Sequence, residues 1–287
     1  MNIFKNTFKK GAKKGDQTPV VQQQVTRETD YIDAIHLGRS VRIDCYLPPG
    51  FKQNSQQPHR LLLFNDGQDM EAVGLLPVLS NLYAENFIYP VIVVGIHATG
   101  QRINEYGTAC MPDYKGRGAK AIANTRFVLR ELMPYLRSKF VLYNTPDMTG
   151  FAGFSLGGLS AFDIGWANPD IFGTIGVFSG ALWWRYQPYT DDNPDGHRIM
   201  HEVVKSAPVN PGMRFWFEAG TLDEECDRNN NGVIDAIDDT IDLITLLEKK
   251  GYEMDKDICY VEVEGGRHDQ VTWGQVLPDF LIWAFGK

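Results

Sequence analysis

A serine flanked by glycines, in the pentapeptide Gly153-Phe154-Ser155-Leu156-Gly157, constrains the fold of this chain more than any other feature. The G-x-S-x-G pattern requires a sharp turn from a strand into a helix, and side chains two residues before or after the serine would collide with that turn. The surrounding sequence meets this requirement, because residues 147–153 resemble a short buried strand and residues 156–167 a helix packed closely on a sheet. The pattern therefore predicts that Ser155 lies on a strained strand–turn–helix connection.

Short apolar runs recur along the chain and alternate with segments of helical periodicity. Apolar and polar residues alternate from Val41 to Leu47, as in a half-exposed strand, whereas residues 61–64 and 91–96 are continuous apolar runs of the kind that parallel sheets bury on both faces. Further strands are predicted at 172–178, 213–219 and 258–264, and helices at 118–139, 156–168, 238–250 and 274–284. This order predicts an α/β domain with a mostly parallel central sheet and helices on both faces.

Length, composition and charge fit one α/β domain with a large core. The chain has 287 residues, of which 43% are hydrophobic and 22% charged. Its net charge of −8 argues against nucleic acid as a partner. Apolar runs stay below the roughly 18 residues of a membrane span. Because residues 1–10 lack the apolar region of a secretory signal, we expect a cytoplasmic protein.

The N-terminal residues differ in composition from the rest of the chain. Residues 1–20 carry five lysines and no acid before Asp16, which predicts a basic disordered tail ahead of a domain that covers residues 21–287. A weak amphipathic turn that touches an anionic membrane is the alternative. The cysteines form no C-x-x-C pair, so we expect free thiols rather than a zinc or dithiol site at Cys45, Cys110, Cys226 and Cys259.

A glycine-flanked serine implies a particular chemistry. A serine hydroxyl is a poor nucleophile at neutral pH, so it needs a base to take its proton and an acid to orient the base. In a site built on strand ends the chain order is serine, acid, histidine. His268 lies in a glycine-rich loop after the last predicted strand, and Asp223 follows the strand before it. We therefore predict Ser155 as nucleophile, His268 as base and Asp223 as acid.

Other residues compete for two of these roles. Glu224 is the next candidate for the acid, whereas Glu218 is expected within the strand. Asp223 could instead cap a helix or bind a metal. His97 follows a strand but precedes the serine, and the remaining histidines lie in polar segments where we expect solvent exposure: His36, His59, His197 and His201.

The tetrahedral intermediate of such a reaction needs two backbone donors. One is expected to be the amide of Leu156, directly after the nucleophile. The other is expected in the loop after the strand at 61–65, where the amides of Gly67 and Gln68 are equally good candidates. An ordinary Asp-Gly turn is the alternative interpretation of this loop.

Several segments together resemble the putative esterase family of α/β-hydrolases, over roughly residues 28–286. That family includes esterase D, enterochelin esterases, feruloyl and acetyl xylan esterases, and mycolyltransferases. The resemblance rests on residues 46–51, 64–68, 102–106, 131–134, 153–158, 168–172, 178–180 and 265–268 with Trp273. It implies an α/β-hydrolase fold and a triad of Ser155, Asp223 and His268, and it does not specify the substrate.

Five residues are candidates for contact with a substrate: Arg102, Glu105, Tyr106, Trp183 and Trp184. In the alternative interpretation, Arg102 and Glu105 pair to hold a loop and the two tryptophans pack beneath a helix.

Residues 227–238 fit an EF-hand-type calcium loop. Gly232 stands at position 6, where the sharp turn needs glycine, and all side-chain ligands would be oxygens, as calcium prefers. Asp238 replaces the usual glutamate at position 12, which resembles the loop of dockerin-type repeats. The predicted ligands are Asp227, Asn229, Asn231, the carbonyl of Val233, Asp235 and Asp238. Calcium would be structural, ordering the loop that carries Asp223, and a solvated acidic turn is the alternative.

These observations predict a serine hydrolase that acts on a small-molecule or carbohydrate carboxylic ester and needs no cofactor for catalysis. Two other functions fit the same residues. The same triad could transfer an acyl group to a sugar or alcohol if the acceptor excludes water. A non-catalytic carbohydrate- or lipid-binding protein of the same fold is the second alternative, although the complete triad argues against it.

Overall fold

The computed structural model describes residues 24–287, and the predicted basic tail at residues 1–20 lies outside them. Eight strands of the described chain form one sheet. They are β1 Thr26–Ala34, β2 Arg39–Leu47, β3 Arg60–Asn65, β4 Val91–Ile96, β5 Thr149–Phe154, β6 Thr174–Phe178, β7 Arg214–Leu222 and β8 Ile258–Arg267. Their order in the sheet is β1-β2-β4-β3-β5-β6-β7-β8. The strand β2 is antiparallel to both its neighbours, and all pairs from β4 to β8 are parallel.

Helices connect the parallel strands and cover both faces of the sheet, as the alternating pattern predicts. A π-helical turn at Val128–Leu132 joins two of them into one longer helical segment. The helices are α1 Leu75–Ala84, α2 Arg102–Glu105, α3 Ala121–Phe127, α4 Met133–Lys139, α5 Leu156–Ala167, α6 Ile199–Ser206, α7 Asp235–Lys249 and α8 Gln270–Phe285.

The hydrophobic core has two halves, one on each face of the sheet. Side chains of successive residues in a strand point to opposite faces. In β3, Leu61 and Leu63 accordingly join the half that contains α3, α4, α5 and α7, whereas Leu62 and Phe64 join the half beneath α1 and α8. All residues of β4 and β5 are buried, as expected for central parallel strands, and the sequence of β4 is an unbroken apolar run.

The predicted elements all exist, and several boundaries differ. The helix predicted at 238–250 begins at Asp235, and the one predicted at 274–284 begins at Gln270. The strand predicted at 258–264 continues to Arg267, and the one at 213–219 continues to Leu222. Both extensions cross glycines, whose weak strand preference hides them from a pattern of apolar residues.

No helix within residues 24–287 is both long and apolar enough to cross a bilayer. The four cysteines are unpaired, and Cys45 lies fully buried in β2, as expected for a thiol that behaves as a small apolar side chain.

Phe280 of α8 provides a test of the core beneath the sheet. Its ring is fully buried and meets Phe64 and Phe178 edge-on. Phe280→Ala is therefore expected to lower the free energy of unfolding by about 3–5 kcal/mol in denaturant titrations. Ile282→Ala, in the same helix but 38% exposed, should cost less than about 1 kcal/mol. Equal losses in the two variants would contradict this packing.

Candidate active site

The turn at Ser155 has the geometry that the glycine-flanked pattern predicts. Strand β5 ends at Phe154, helix α5 begins at Leu156, and Ser155 between them has φ 53° and ψ −123°. Positive φ is rare for residues other than glycine, and such strain persists only where the surroundings enforce it. From Thr149 to Trp166, Ser155 is the one residue that is not buried. Its side chain is thus presented at the carboxyl end of the sheet.

Close backbone packing enforces the turn. A Cβ atom on Gly153 would lie 2.4 Å from the carbonyl carbon and oxygen of Gly157, so the two segments can approach only because residue 153 is a glycine. A Cβ atom on Gly157 would lie 2.4 Å from Oδ2 of Asp66 in the neighbouring loop. The amide of Ser155 donates to the carbonyl of Phe178 at 2.8 Å, which ties the turn to β6.

The predicted base and acid lie next to each other. Nδ1 of His268 is 3.7 Å from Oδ2 of Asp223. The Asp223 side chain is 1% exposed, and neither of its oxygens has a hydrogen-bond partner among the described residues, whereas the His268 side chain is 42% exposed. A small closing movement would convert this contact into a hydrogen bond of normal length.

A cavity of about 230 Å³ surrounds this pair. Ser155 does not line this cavity, but the residue after the lining Gly180, Ala181, donates its amide to the carbonyl of Ser155 at 3.1 Å. The cavity is lined by Ser179, Gly180, Trp183, Asp223, Glu224, Ala236 and His268. Burial raises the pKa of Glu224, as do the charges of Asp235 and Asp239.

Backbone amides on two elements are free to bind an oxyanion. Within residues 24–287, the amides of Leu156, Gly67 and Gln68 donate to no protein acceptor. Asp66, in contrast, donates its amide to the hydroxyl of Tyr106 at 3.3 Å. The predicted donors are thus available, and the choice between Gly67 and Gln68 stays open.

The loop that carries these amides is fastened to the serine turn. Arg102 donates from Nε and Nη2 to the two carboxylate oxygens of Asp66, each at 2.7 Å, and from Nη2 to the carbonyl of Phe154 at 3.2 Å. Asn65 donates from its side-chain amide to the carbonyl of Gly157 at 2.9 Å. The planar, charge-assisted pairing of Arg102 with Asp66 holds geometry well.

The five candidates for substrate contact are placed differently from one another. Arg102 holds the loop, and Tyr106 is buried beneath it. The alternative pairing of Arg102 with Glu105 is wrong, because Glu105 is 1% exposed and bound by Arg39 at 2.6 and 2.9 Å.

The two tryptophans also differ: Trp184 is fully buried, whereas Trp183 is 38% exposed and lines the cavity beside His268. Of the five side chains, Trp183 is the best placed to meet a substrate.

The other histidines are paired with a protein group or are partly or fully buried. His97 pairs with Asp44 of β2 at 2.8 Å. The prediction that His201 is exposed is wrong: it is buried in α6, its Nε2 contacts the carbonyl oxygen of Asp239 at 2.9 Å, and burial lowers its pKa to about 3. Its polar sequence neighbours lie on the opposite face of an amphipathic helix, which a reading of local composition misses. The remaining three are half-buried: His36, His59 and His197.

The predicted calcium loop folds as a compact turn before α7. Asp227 accepts from the amides of Asn231 and Gly232 at 3.1 and 2.9 Å, and Gly232 has φ 87°. The side-chain amides of Asn229 and Asn231 both donate to Oδ2 of Asp238, at 3.0 and 2.9 Å. Four of the predicted ligand positions therefore surround the same turn.

The last two predicted ligand positions have other surroundings. Asp235 accepts from the backbone amide of Arg228 at 2.9 Å and pairs with its guanidinium at 3.2 Å, while Val233 donates its amide to Oδ1 of Asn231. Within residues 24–287, no group of three or more His, Cys, Asp and Glu side chains is arranged to hold a metal ion. Binding would thus depend on amide and backbone oxygens in addition to the carboxylates.

Three polar residues near the cavity were not assigned a role from the sequence. Glu218 lies buried in β7, as predicted, and accepts from the amide of Ser179 at 3.1 Å. Trp273 of α8 donates from its indole N–H to Oγ of Ser179 at 2.8 Å. The Phe178-Ser179-Gly180 segment and Trp273 are part of the family resemblance, but the contacts between them join residues more than 90 positions apart.

Comparison with known proteins agrees with this architecture. The sequence profile of the family described as "Putative esterase" matches residues 35–284, most of the chain. Iron(III) enterobactin esterase of Escherichia coli K12 is 25% identical over 213 residues, which are 74% of this chain and 46% of that protein. Uncharacterized protein YbbA of Bacillus subtilis is 21% identical over 259 residues, 88% of this chain and 95% of that protein. The chain thus spans about half the length of the enterobactin esterase.

Solved structures resemble the fold over nearly the whole chain. A ferulic acid esterase superposes with a TM-score of 0.71 at 19% identity, covering 92% of this chain and 98% of the other. The enterobactin esterase of Shigella flexneri superposes with a TM-score of 0.70 at 23% identity, covering 93% and 60%. The predicted fold class and family resemblance are both confirmed. The chain has the α/β-hydrolase fold and belongs to the putative esterase family.

Proposed function

We propose that the chain hydrolyses carboxylic esters through an acyl-enzyme formed on Ser155, with His268 as base and Asp223 as orienting acid. One observation carries the proposal: a strained, partly buried serine and a His–Asp pair lie at the carboxyl edge of the same sheet. Such an arrangement costs stability, since the turn is strained and the buried Asp223 carboxylate has no hydrogen-bond partner within residues 24–287.

The proposed reaction has two halves. His268 takes the proton of Ser155 as the hydroxyl oxygen attacks the ester carbonyl, and it then gives that proton to the departing alcohol. Water, deprotonated by the same imidazole, attacks the acyl-enzyme and releases the acid. Asp223 keeps the imidazole ring oriented and stabilises the positive charge that the ring gains. This electrostatic attraction is stronger in a buried setting than in water.

The oxyanion of each tetrahedral intermediate would bind between the amide of Leu156 and an amide of the loop at Gly67 or Gln68. Donors fixed in advance stabilise developing charge without reorganisation, and removing one such donor typically costs about 10²–10³ in rate. The links from Arg102 and Asn65 to the serine turn support this role, because they hold the two elements at a constant separation.

The substrate is proposed to be a small-molecule or carbohydrate ester. Related proteins are described as enterobactin esterase, ferulic acid esterase and siderophore hydrolase, so aryl-acyl and siderophore esters form a reasonable first panel. The exposed indole of Trp183 beside His268 supports an aromatic or sugar group there, because such groups stack on indole faces. Acyl transfer to a sugar or alcohol is the second candidate, and product analysis with added acceptor alcohols distinguishes it from hydrolysis.

Fluorophosphonate labelling tests the nucleophile directly. The wild-type chain is expected to take up one equivalent, located at Ser155 by peptide mapping, and Ser155→Ala should take up none. Ser138→Ala, an exposed serine in α4, is the matched control and should label like the wild type. A wild type that stays unlabelled, or an active-site label that persists in Ser155→Ala, would contradict the assignment and favour a non-catalytic binding protein.

The choice between Asp223 and Glu224 as the acid has its own test. Asp223→Asn should lower kcat by roughly 10³–10⁴-fold with little change in KM, because the imidazole loses its orientation and its counter-charge. Glu224→Gln removes a carboxylate from the same cavity and should change kcat by less than about tenfold. If steady-state kinetics with an aryl ester gave the reverse order, Glu224 would be the acid.

We also propose that residues 227–238 bind calcium and that the ion orders the loop after Asp223. The donors are all oxygens, as a hard cation requires. A half-turn of the side-chain amides of Asn229 and Asn231 would direct their oxygens toward the position that their nitrogens now occupy beside Asp238. Arg228, within the loop, also pairs with the buried Asp239 of α7 at 2.9 Å. Ordering of the loop would therefore also fix its position relative to the helix.

Thermal unfolding in calcium and in chelator tests this site. Calcium is expected to raise Tm, since a ligand that binds only the folded chain stabilises it, by about 2.7 kcal/mol at one hundred times Kd. Asp227→Asn should abolish the rise, whereas Asp255→Asn, in a turn outside the loop, should keep it. Identical melting of the wild type in both buffers, with no calcium found by elemental analysis, would rule out the site.

A further inference from the structure

One indole ring contacts both the proposed base and the serine turn. Trp273 stacks on Phe154, the residue before Ser155, with ring centroids 4.7 Å apart and planes 12° apart. It meets the ring of His268 edge-on, with centroids 5.3 Å apart and planes at 81°. Any rotation of Trp273 would therefore change the position of His268 relative to the turn.

The orientation of this indole is fixed by a buried hydrogen bond. Trp273 donates its N–H to Oγ of Ser179 at 2.8 Å, and both residues are at most 5% exposed. Ser179 follows β6 directly and has φ 44°, so its own backbone is strained. A hydrogen bond from the indole N–H fixes one orientation of the ring, whereas stacking alone would allow the ring to slide or rotate in its plane.

Glu218 holds Ser179 in turn. Its Oε2 accepts from the amide of Ser179 at 3.1 Å and lies 3.4 Å from the Ser179 hydroxyl, while its other oxygen has no partner among the described residues. The Ser179 hydroxyl thus accepts from the indole and donates to the carboxyl. The chain of contacts runs from β7 through β6 to α8 and ends on His268.

We propose that Glu218 and Ser179 are positioning residues that act through Trp273 to set the ring of His268 for proton transfer. The proposal rests on the proposed function only in giving His268 the role of base. It assigns no direct contact between Glu218 or Ser179 and the substrate. What it requires is that the hydrogen bonds between the three residues, and not their bulk alone, determine the rate.

The surroundings of Glu218 favour a neutral carboxyl. Burial and the charge of Asp223 raise the pKa of Glu218 to about 8, and the Tyr260 hydroxyl of β8 lies near enough to interact with it. At pH 7 most Glu218 side chains therefore keep their proton. A neutral glutamine can replace such a carboxyl as hydrogen-bond acceptor.

The hydrogen-bonded chain of Glu218, Ser179 and Trp273 forms a relay to His268, and a double-mutant cycle on Ser179 and Trp273 tests it. Ser179→Ala removes the acceptor, and Trp273→Phe keeps a stacked ring without the N–H. Each is expected to lower kcat about tenfold with KM changed less than about twofold. The double variant should be no worse than either single variant, because both substitutions remove the same hydrogen bond between the indole and the hydroxyl. Trp283→Phe, in the same helix, is the matched control and should leave kcat unchanged. Independent effects that multiply, or an unchanged kcat in either single variant, would overturn the proposal.

The imidazole signals of His268 in ¹⁵N NMR give a readout that does not depend on activity. Ser179→Ala and Trp273→Phe are expected to move these signals, and Trp283→Phe should not. Unmoved signals in the first two variants would overturn the relay even if the enzyme were active. Signals that move in a chain that fluorophosphonate does not label would support the relay and contradict the proposed nucleophile instead.

Glu218→Gln and Glu218→Ala separate the hydrogen bond from the charge. Glutamine should recover most of the kcat that alanine loses at pH 7, and equal losses in the two would overturn the relay. Because the folded chain holds the Glu218 proton up to about pH 8 and the unfolded chain releases it near pH 4.5, this group makes stability fall as pH rises between those values. The Tm of Glu218→Gln relative to wild type should therefore increase from pH 5 to pH 8, and a constant difference would contradict the neutral carboxyl.

Discussion

The strained turn at Ser155 is the constraint on which the rest of the site depends. A positive φ at a serine is unfavourable by itself, so the surroundings must hold it. Four backbone hydrogen bonds do this: the amide of Ser155 donates to the carbonyl of Phe178, and its carbonyl accepts from the amide of Ala181 and from two amides in the first turn of α5. The packing of Gly153 against Gly157 permits the approach. The strain of one residue is thus distributed over two strands and a helix.

Parallel strands bring the remaining groups to the same edge. Ser155 follows β5, Ser179 follows β6, Asp223 follows β7, and His268 follows β8, and these four strands are adjacent in the sheet. The four residues therefore lie at one edge of the sheet although 113 positions separate the first from the last. Ser179 and the Asp223 carboxylate are buried at this edge, where interactions are stronger than in water and an unpaired polar group is costly.

Local patterns were sufficient for the parts of the site that depend on chain order. The serine turn follows from the spacing of glycines around Ser155, and the positions of Asp223 and His268 follow from the ends of successive strands. The family resemblance added no residue to this set, and it agreed with the order that strand ends already implied.

Contacts between distant segments could not be predicted, because no periodicity encodes them. Arg102 was expected to face the substrate or to pair with Glu105, and it binds Asp66 instead. Glu218 has the local sequence of an ordinary strand residue, and only the adjacency of β6 and β7 brings it to Ser179. Such pairings depend on which strands are neighbours, which is settled by the whole sheet.

Acid-quench trapping during turnover is the most direct measurement of the central claim, that Ser155 is the nucleophile of an esterase. The chain would be mixed with an aryl ester, quenched within the first turnovers, digested and mapped by mass spectrometry. The account predicts an acyl group on the peptide that contains Ser155, formed in a burst of alcohol release and absent from Ser155→Ala. Turnover without any acylated peptide, or an acyl group on a different residue, would contradict it.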